Sequence, residues 1–368
     1  MGSTTYPAIL LSLFFISAHL VAQSAAQTPP VFKCSTGAKT TCQGLVDYVV
    51  PNATTLAGIQ ALFGIKKLYT LLGANNHPIT TPRNTTVAAK ETIKIPFPCS
   101  CFNGAGASRG APNYTVKPGD GLDHIAREIF SNLVSYQRIA DVNRIPNVNL
   151  IQPGQTFTIP LPCSCDELNG TQVVHYGHVV KIGNTVEGIA QEFGTTEETI
   201  LKLNGIVNST EILAGQVLDV PLKVCSSSVR KDSLDSPILL PNGTYVVTAN
   251  DCVKCSCDSS KNWTLQCEPA QIKLTNKTWS TCPSMQCSDS SLALGNTTFT
   301  TTDSTCRATT CSYAGFSNQT IFTTLLNQPT CLGTNPNNAY SKMGLGAWSW
   351  NYLFISIHLV LIGIGLGL

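Results

Sequence analysis

Tyr114-Thr115-Val116-Lys117-Pro118-Gly119-Asp120-Gly121-Leu122 begins the stretch whose reading decides the fold, and that stretch runs on to Pro160. Tyr114 to Val116 has the composition of a short strand, and Lys117 to Gly121 that of a turn. Leu122 to Phe130 is predicted as an amphipathic helix with Leu122, Ile125, Ala126 and Ile129 on one face. A second helix is predicted to end at Asn143, with Ile139 and Val142 inward. Phe157-Thr158-Ile159-Pro160 then alternates apolar and polar residues like a closing edge strand, with proline where pairing stops.

The pattern occurs three times, at a spacing of about 65 residues. Tyr48, Tyr114 and His178 align as opening aromatics, Leu56, Leu122 and Val186 stand eight places on, and Ile59, Ile125 and Ile189 eleven places on. At fifteen places come Phe63, Ile129 and Phe193, with no gap introduced. Each second helix ends on an asparagine (Asn75, Asn143, Asn204) that follows an aliphatic residue by four places. Each copy closes on apolar-polar-apolar-Pro, ending at Pro96, Pro160 and Pro221. The predicted class is α+β: three small βααβ units at 45–98, 113–161 and 177–222, then a Cys-rich module at 225–335.

Units this short bury too little apolar surface to be secure alone, so covalent staples between them are expected. Cys-x-Cys follows the first two copies, at Cys99-Ser100-Cys101 and Cys163-Ser164-Cys165. The six cysteines Cys34, Cys42, Cys99, Cys101, Cys163 and Cys165 leave fifteen pairings open. Cys252, Cys255, Cys257 and Cys267 admit a zinc reading, but in an oxidising compartment thiols pair instead.

Several features point to that compartment. Residues 1–26 have the length and small-residue end of a signal peptide, with a mature start near Gln27. Asn337 is the expected lipid-attachment residue, and 338–368, ending in an apolar tail without a basic flank, is read as a removed GPI-attachment propeptide. Ten Asn-x-Ser/Thr sequons lie between: Asn52, Asn84, Asn113, Asn169, Asn208, Asn242, Asn262, Asn276, Asn296 and Asn318. Charge is nearly balanced, 23 basic against 21 acidic residues, and no basic patch is interleaved with aromatics, which excludes a nucleic-acid partner from the expectations.

The three copies resemble LysM domains, carbohydrate-binding modules of the form βααβ. The residues that carry the resemblance are Tyr114 to Asp120, Ile125-Ala126, Asn143, and Pro153-Gly154-Gln155 before Ile159-Pro160. Copy three matches with Gly183-Asn184-Thr185, Ile189-Ala190, Asn204 and Gly215-Gln216; copy one departs with Gln60 where Ala126 and Ala190 stand. The whole arrangement is similar to plant LysM-domain GPI-anchored receptor-like proteins, in the branch of the chitin elicitor-binding proteins. Asp120-Gly121-Leu122-Asp123, Asn143-Arg144-Ile145-Pro146 and Leu71-Leu72-Gly73-Ala74-Asn75 carry that narrower likeness. It implies binding of chitin oligosaccharides, no enzymatic activity and no cofactor or metal. It also implies a LysM receptor-like kinase as partner in plant innate immunity and attachment to the outer face of the plasma membrane by a lipid; a ligand-bridged homodimer is expected separately, because a single short groove binds weakly and a long sugar gains by joining two receptors. The pairing it implies is Cys34 to Cys101, Cys42 to Cys165 and Cys99 to Cys163.

In such units an N-acetylglucosamine chain lies between the loop after the first strand and the loop before the last. In copy two the expected contacts are Gly119, Asp120, Gly121 and Leu122 on one loop, and Arg144, Ile145, Pro146, Asn147 and Val148 on the other. Asparagine and backbone amides suit acetamido groups, and Ile145, Pro146 and Val148 offer a small apolar floor. Copy two is the expected primary site, because Asn52, Asn84 and Asn208 place sequons in the loops of the other two copies. Against each reading stands a blander one. Asp120 and Asp123 have the spacing of helix N-capping rather than of a catalytic pair, and Asn184 and Glu187 repeat it; Ile145 and Val148 suit plain loop packing. His124 reads as solvated, and Asn143 as closing its helix. The alternatives for function are peptidoglycan recognition, a wall hydrolase targeted by LysM units, and a passive wall glycoprotein.

Overall fold

A computed structural model describes residues 32–35, 41–102, 104–110, 112–272, 278–302 and 305–328. The leader at 1–26, Asn276, Cys331, Asn337 and the tail at 338–368 lie outside the described residues. The chain divides into two compact units, 1–296 with 310–325, and 297–309 with 326–368. In the second, Thr297–Thr302 is a strand and Thr309 Oγ1 lies 2.8 Å from Asn327 Oδ1.

Copy one comprises β1 (Thr41–Val49), β2 (Thr54–Thr55), α1 (Leu56–Leu62), α2 (Leu68–Ala74), β3 (Thr86–Val87) and β4 (Thr92–Phe102). After β5 (Ala105–Ser108), copy two follows with β6 (Asn113–Thr115), α3 (Leu122–His124), α4 (Tyr136–Asn143) and β7 (Thr156–Thr158). Copy three has β8 (Val173–Val179), α5 (Val186–Phe193), α6 (Glu197–Asn204) and β9 (Val217–Lys223), so the α+β expectation holds. The strand order β5-β4-β1-β8-β9 makes one sheet of copies one and three. Within each copy the pairing is antiparallel, but β1 and β8 meet in parallel at Leu45↔Tyr176 and Val46↔Gly177. Copy two keeps its own ladder, Tyr114 opposite Phe157, and packs on copy one through Phe63 and Phe130, whose rings meet edge-on at 5.8 Å.

The three repeated asparagines each tie a helix to a strand. Asn143 Nδ2 donates to Ile139 O (2.8 Å) and Thr158 O (2.7 Å), and Thr158 N donates back to Asn143 Oδ1 (2.8 Å). Asn75 does the same with Leu71 and Lys94, and Asn204 with Ile200 and Asp219. A short helix thereby satisfies one orphan carbonyl and fixes its closing strand at once.

Two packing expectations are corrected. Val142 is 41% exposed, and Ala140 joins Ile139 in the core. Asn143 is the residue turned inward toward β7, and Val142, about 100° away around a 3.6-residue turn, faces outward. Ile129 is half-buried, and Phe130 takes the inward position. The cause is a π-helical turn, Ile125–Ile129, continuing α3: Phe130 N bonds to Ile125 O at 3.0 Å, five residues back. Phe130 thus meets Tyr114 at 5.9 Å as Phe63 meets Tyr48 at 4.9 Å. Copy two carries one extra residue there, absorbed by the wider turn.

Copies one and three are also joined through a buried carboxylate. Asp47 accepts from the Tyr176 hydroxyl, from His178 Nδ1 at 2.9 Å and from Val179 N at 3.3 Å. His175 pairs with Asp219 at 2.8 Å. Burial disfavours the His175 cation, but the Asp219 carboxylate and the Asp166 carbonyl together outweigh it and hold the group above its ordinary value.

Bridges Cys34–Cys101, Cys42–Cys165 and Cys99–Cys163 cross-link the LysM-like part. In the Cys-rich part, β10 (Thr244–Thr248), β11 (Val253–Cys257) and β12 (Gln266–Pro269) form a sheet held by Cys225–Cys257, Cys252–Cys282 and Cys255–Cys267, and Cys287–Cys311 is a fourth bridge beyond it. The four cysteines of the zinc reading are therefore all spent as disulfides. This sheet docks on α2. Lys67 Nζ lies 2.5 Å from Asp251, the Tyr69 hydroxyl donates to the same carboxylate, and Tyr245 donates to His77 O at 2.9 Å.

Candidate functional site

In each copy the end of the first strand is tied to the base of the second loop. In copy two, Val116 N donates to Gln155 O (2.8 Å) and Gly154 N to Val116 O (2.9 Å). Gly154 has φ +90°, which glycine adopts freely; in copy one the equivalent contact to Val50 is made by Lys90 at φ +67°. The Gln155 side chain accepts from Gln152 N, as Gln216 accepts from Leu213 N and Glu91 from Ala88 N. These ties hold the two groove loops side by side.

On the first loop of copy two, Asp120 does not cap the helix. Its carboxylate closes the preceding turn, accepting from Lys117 N (2.7 Å) and the Tyr114 hydroxyl (2.9 Å). Burial, and then this bond to Asp120, push Tyr114 up to about 12. Asp123 is exposed and pairs with Arg127, and no side chain caps the helix at Gly121. In copies one and three the cap is Thr55, accepting from Gly58 N, and Thr185, accepting from Gly188 N. Asn184 instead accepts from Lys181 N, which corrects the capping assigned to it. Gly119 is exposed and Gly121 half-buried, but Leu122 is 2% exposed, so its side chain belongs to the core.

The second loop begins with Arg144 in the left-handed region, φ +54°, and Ile145 N donates to Ala140 O at 2.9 Å, closing α4. Ile145 and Val148 are half-buried against the shared core, and Pro146 and Asn147 are exposed. Asn147 Oδ1 accepts from Asn149 N at 3.0 Å, which leaves its amide NH2 toward solvent as a donor. Among the described residues no backbone hydrogen bond joins this loop to residues 117–123. Copy three is also open across its loops, with Ile182 and Val207 exposed on opposite sides. Copy one differs: Thr54–Thr55 pairs with Thr86–Val87, Leu56 N donates to Thr85 O (3.0 Å) and Ala57 N to Arg83 O (2.8 Å). This closure, and the buried Asp47 cluster, had no motif to announce them. Every sequon asparagine among the described residues is exposed.

The LysM domain model matches residues 114–160 and 178–221, which are copies two and three. LysM domain-containing GPI-anchored protein 2 of Arabidopsis thaliana is 51% identical over 309 residues, 83% of this chain and 84% of the relative. Chitin elicitor-binding protein of Oryza sativa subsp. japonica is 43% identical over 316 residues, 86% of this chain and 84% of that protein. Among solved structures, the ectodomain of a receptor like kinase aligns at a TM-score of 0.42 and 19% identity, over 50% of this chain and 94% of that one. The fold and its repeats define a LysM-domain protein. The chain belongs to the family of plant LysM domain-containing GPI-anchored proteins.

Proposed function

We propose that the protein is a cell-surface receptor for chitin oligosaccharides, held outside the plasma membrane by a GPI lipid and signalling through a LysM receptor kinase. The observation that carries this reading is the groove of copy two, where both loops are free of sequons and of cross-loop pairing. Ile145 and Val148 lie half-exposed in it beside the exposed donor Asn147. Backbone amides and Asn147 suit acetamido carbonyls, and the apolar floor suits methyl groups and ring faces. The 43% identity to a chitin elicitor-binding protein supports the ligand class. Binding without catalysis is supported by the two carboxylates nearby. Asp120 is committed to Tyr114 and Lys117, and Asp123 to Arg127. A single short groove binds weakly, so a long oligomer gains by bridging two receptors, and the kinase supplies the cytoplasmic step.

The test is calorimetric titration of the secreted ectodomain with N-acetylglucosamine oligomers of increasing length and with soluble peptidoglycan fragments, beside Ile145→Arg. Length-dependent binding lost in Ile145→Arg is expected. Binding of peptidoglycan fragments alone would overturn the ligand class, and binding unchanged by Ile145→Arg would move the site out of copy two.

A further inference from the structure

Copy one has the strand, helix, helix and strand of its neighbours, yet its groove is already filled. Eighteen positions separate the helix-ending Asn75 from Ile93 at the closing strand, against fourteen from Asn143 to Phe157 and from Asn204 to Leu218. The longer loop folds back as Arg83 to Val87 across the space between the two groove loops. There Thr86 and Val87 pair with Thr55 and Thr54 as a two-stranded ladder. The carbonyls of Thr85 and Arg83 accept from Leu56 N and Ala57 N, the first amides of α1. The third amide, Gly58 N, is taken by Thr55 Oγ1 at 3.1 Å. The start of α1 therefore has its free donors satisfied from within the chain.

At the same repeat positions in copy two stand Leu122 N and Asp123 N, and no residue of 144–151 bonds to them. A peptide carbonyl and an acetamido carbonyl are the same acceptor chemically. We infer that Arg83–Val87 is a built-in occupant of the copy-one groove, presenting to α1 the carbonyls that a sugar's acetamido groups would present. Copy one is then a scaffold that excludes oligosaccharide, and the groove of copy two carries the binding. The inference rests on the oligosaccharide reading of copy two. Its consequence is valency. A long oligosaccharide cannot span copies one and two of one molecule, so a second groove comes from copy three, which is open, or from a second molecule.

Amide hydrogen exchange on the ectodomain, corrected for intrinsic rates, tests the closure directly. Leu56 and Ala57 are expected to exchange at least about tenfold more slowly than Leu122 and Asp123 in the free protein. With N-acetylglucosamine hexamer, Leu122 and Asp123 gain protection and Leu56 and Ala57 do not change. Equal rates in the free protein, or ligand-dependent change at Leu56 and Ala57, would overturn the inference. Loss of any ligand effect at copy two, with Leu56 and Ala57 still protected, would count against the oligosaccharide reading and leave the closure standing. A second arm deletes Arg83–Thr86 in the Ile145→Arg background, bringing the loop to the length of its neighbours. Recovered hexamer binding at one site per chain is expected, and a folded deletion variant that still binds nothing would show that this segment is not what excludes the ligand.

Discussion

Replacing Asn143 by alanine removes three hydrogen bonds, two donated by its amide and one accepted, all between 2.7 and 2.8 Å. At about 1 kcal/mol net per bond, the upper figure is about 3 kcal/mol. Asn143 and Thr158 are half-buried, so water recovers part of it, and about 2 kcal/mol is the expected cost. Asn143→Asp is the sharper variant. It keeps the acceptor for Thr158 N but turns a carboxylate oxygen on the carbonyls of Ile139 and Thr158, where a donor is needed. That repulsion raises the carboxyl pKa in the folded state above the unfolded value of about 3.9. A raised group gives stability that is present at low pH and lost as pH rises through the folded pKa. Asn143→Asp should therefore be less stable than Asn143→Ala at pH 7 and regain ground near pH 4. Denaturant unfolding of the ectodomain at both pH values, with exchange at Thr156–Thr158 as a local readout, measures this. A cost below about 0.5 kcal/mol for alanine, with aspartate behaving alike at both pH values, would refute the clamp.

Two further outcomes follow from contacts elsewhere. A Cβ added at Gly73 would lie 2.1 Å from the Tyr245 carbonyl oxygen, so Gly73→Ala should cost about 1–3 kcal/mol. Exchange should rise in Leu68–Ala74 and Thr244–Thr248 and not in copy two; unchanged exchange there would mean that the Cys-rich sheet is not seated on α2. Burial pushes Tyr48 and Tyr245 up to about 12 from 10.0, and burial with the bond to Asp120 does so for Tyr114. The unfolded chain ionises these groups first, so their contribution is intact below pH 10 and is lost between pH 10 and about 12. Absorbance at alkaline pH should show their ionisation together with loss of tertiary circular dichroism; ionisation near pH 10 without unfolding would contradict the burial.

The repeat was legible because its marks are local. An asparagine one turn after an aliphatic residue and a proline after an alternating pair recur wherever a two-turn helix must be tied to a short strand. What escaped depends on contacts between distant residues. The gapless alignment placed Ile129 beside Phe63 and Phe193, and only the packing of Phe130 on Tyr114 shows the extra residue. The longer loop of copy one was countable, but its pairing with Thr54–Thr55 is a tertiary event. Asp47 stands in a strand of otherwise apolar neighbours, and no motif marks it for burial. It is 2% exposed because a strand of copy three brings Tyr176 and His178 to it. In copy two the loops were found from the resemblance, which put Leu122 in the groove although its place on the apolar face of the predicted helix already pointed to the core, where it is 2% exposed.

The parallel meeting of β1 and β8 sets an order of events during synthesis. As copy one leaves the ribosome, the far edge of β1 has no neighbour, Asp47 has no proton donor beside it, and Cys42 has no sulfur to join until Cys165, 123 residues later, has been made. Contacts so distant form late, and an open strand edge invites the wrong pairing meanwhile. The nascent chain must therefore keep the edge of its first repeat from mispairing until β8 of the third has been made. A gene fragment ending after Cys165 would hold all three bridges of the LysM-like part yet leave that edge and Asp47 without their partners, so the first and third repeats are a single inheritance.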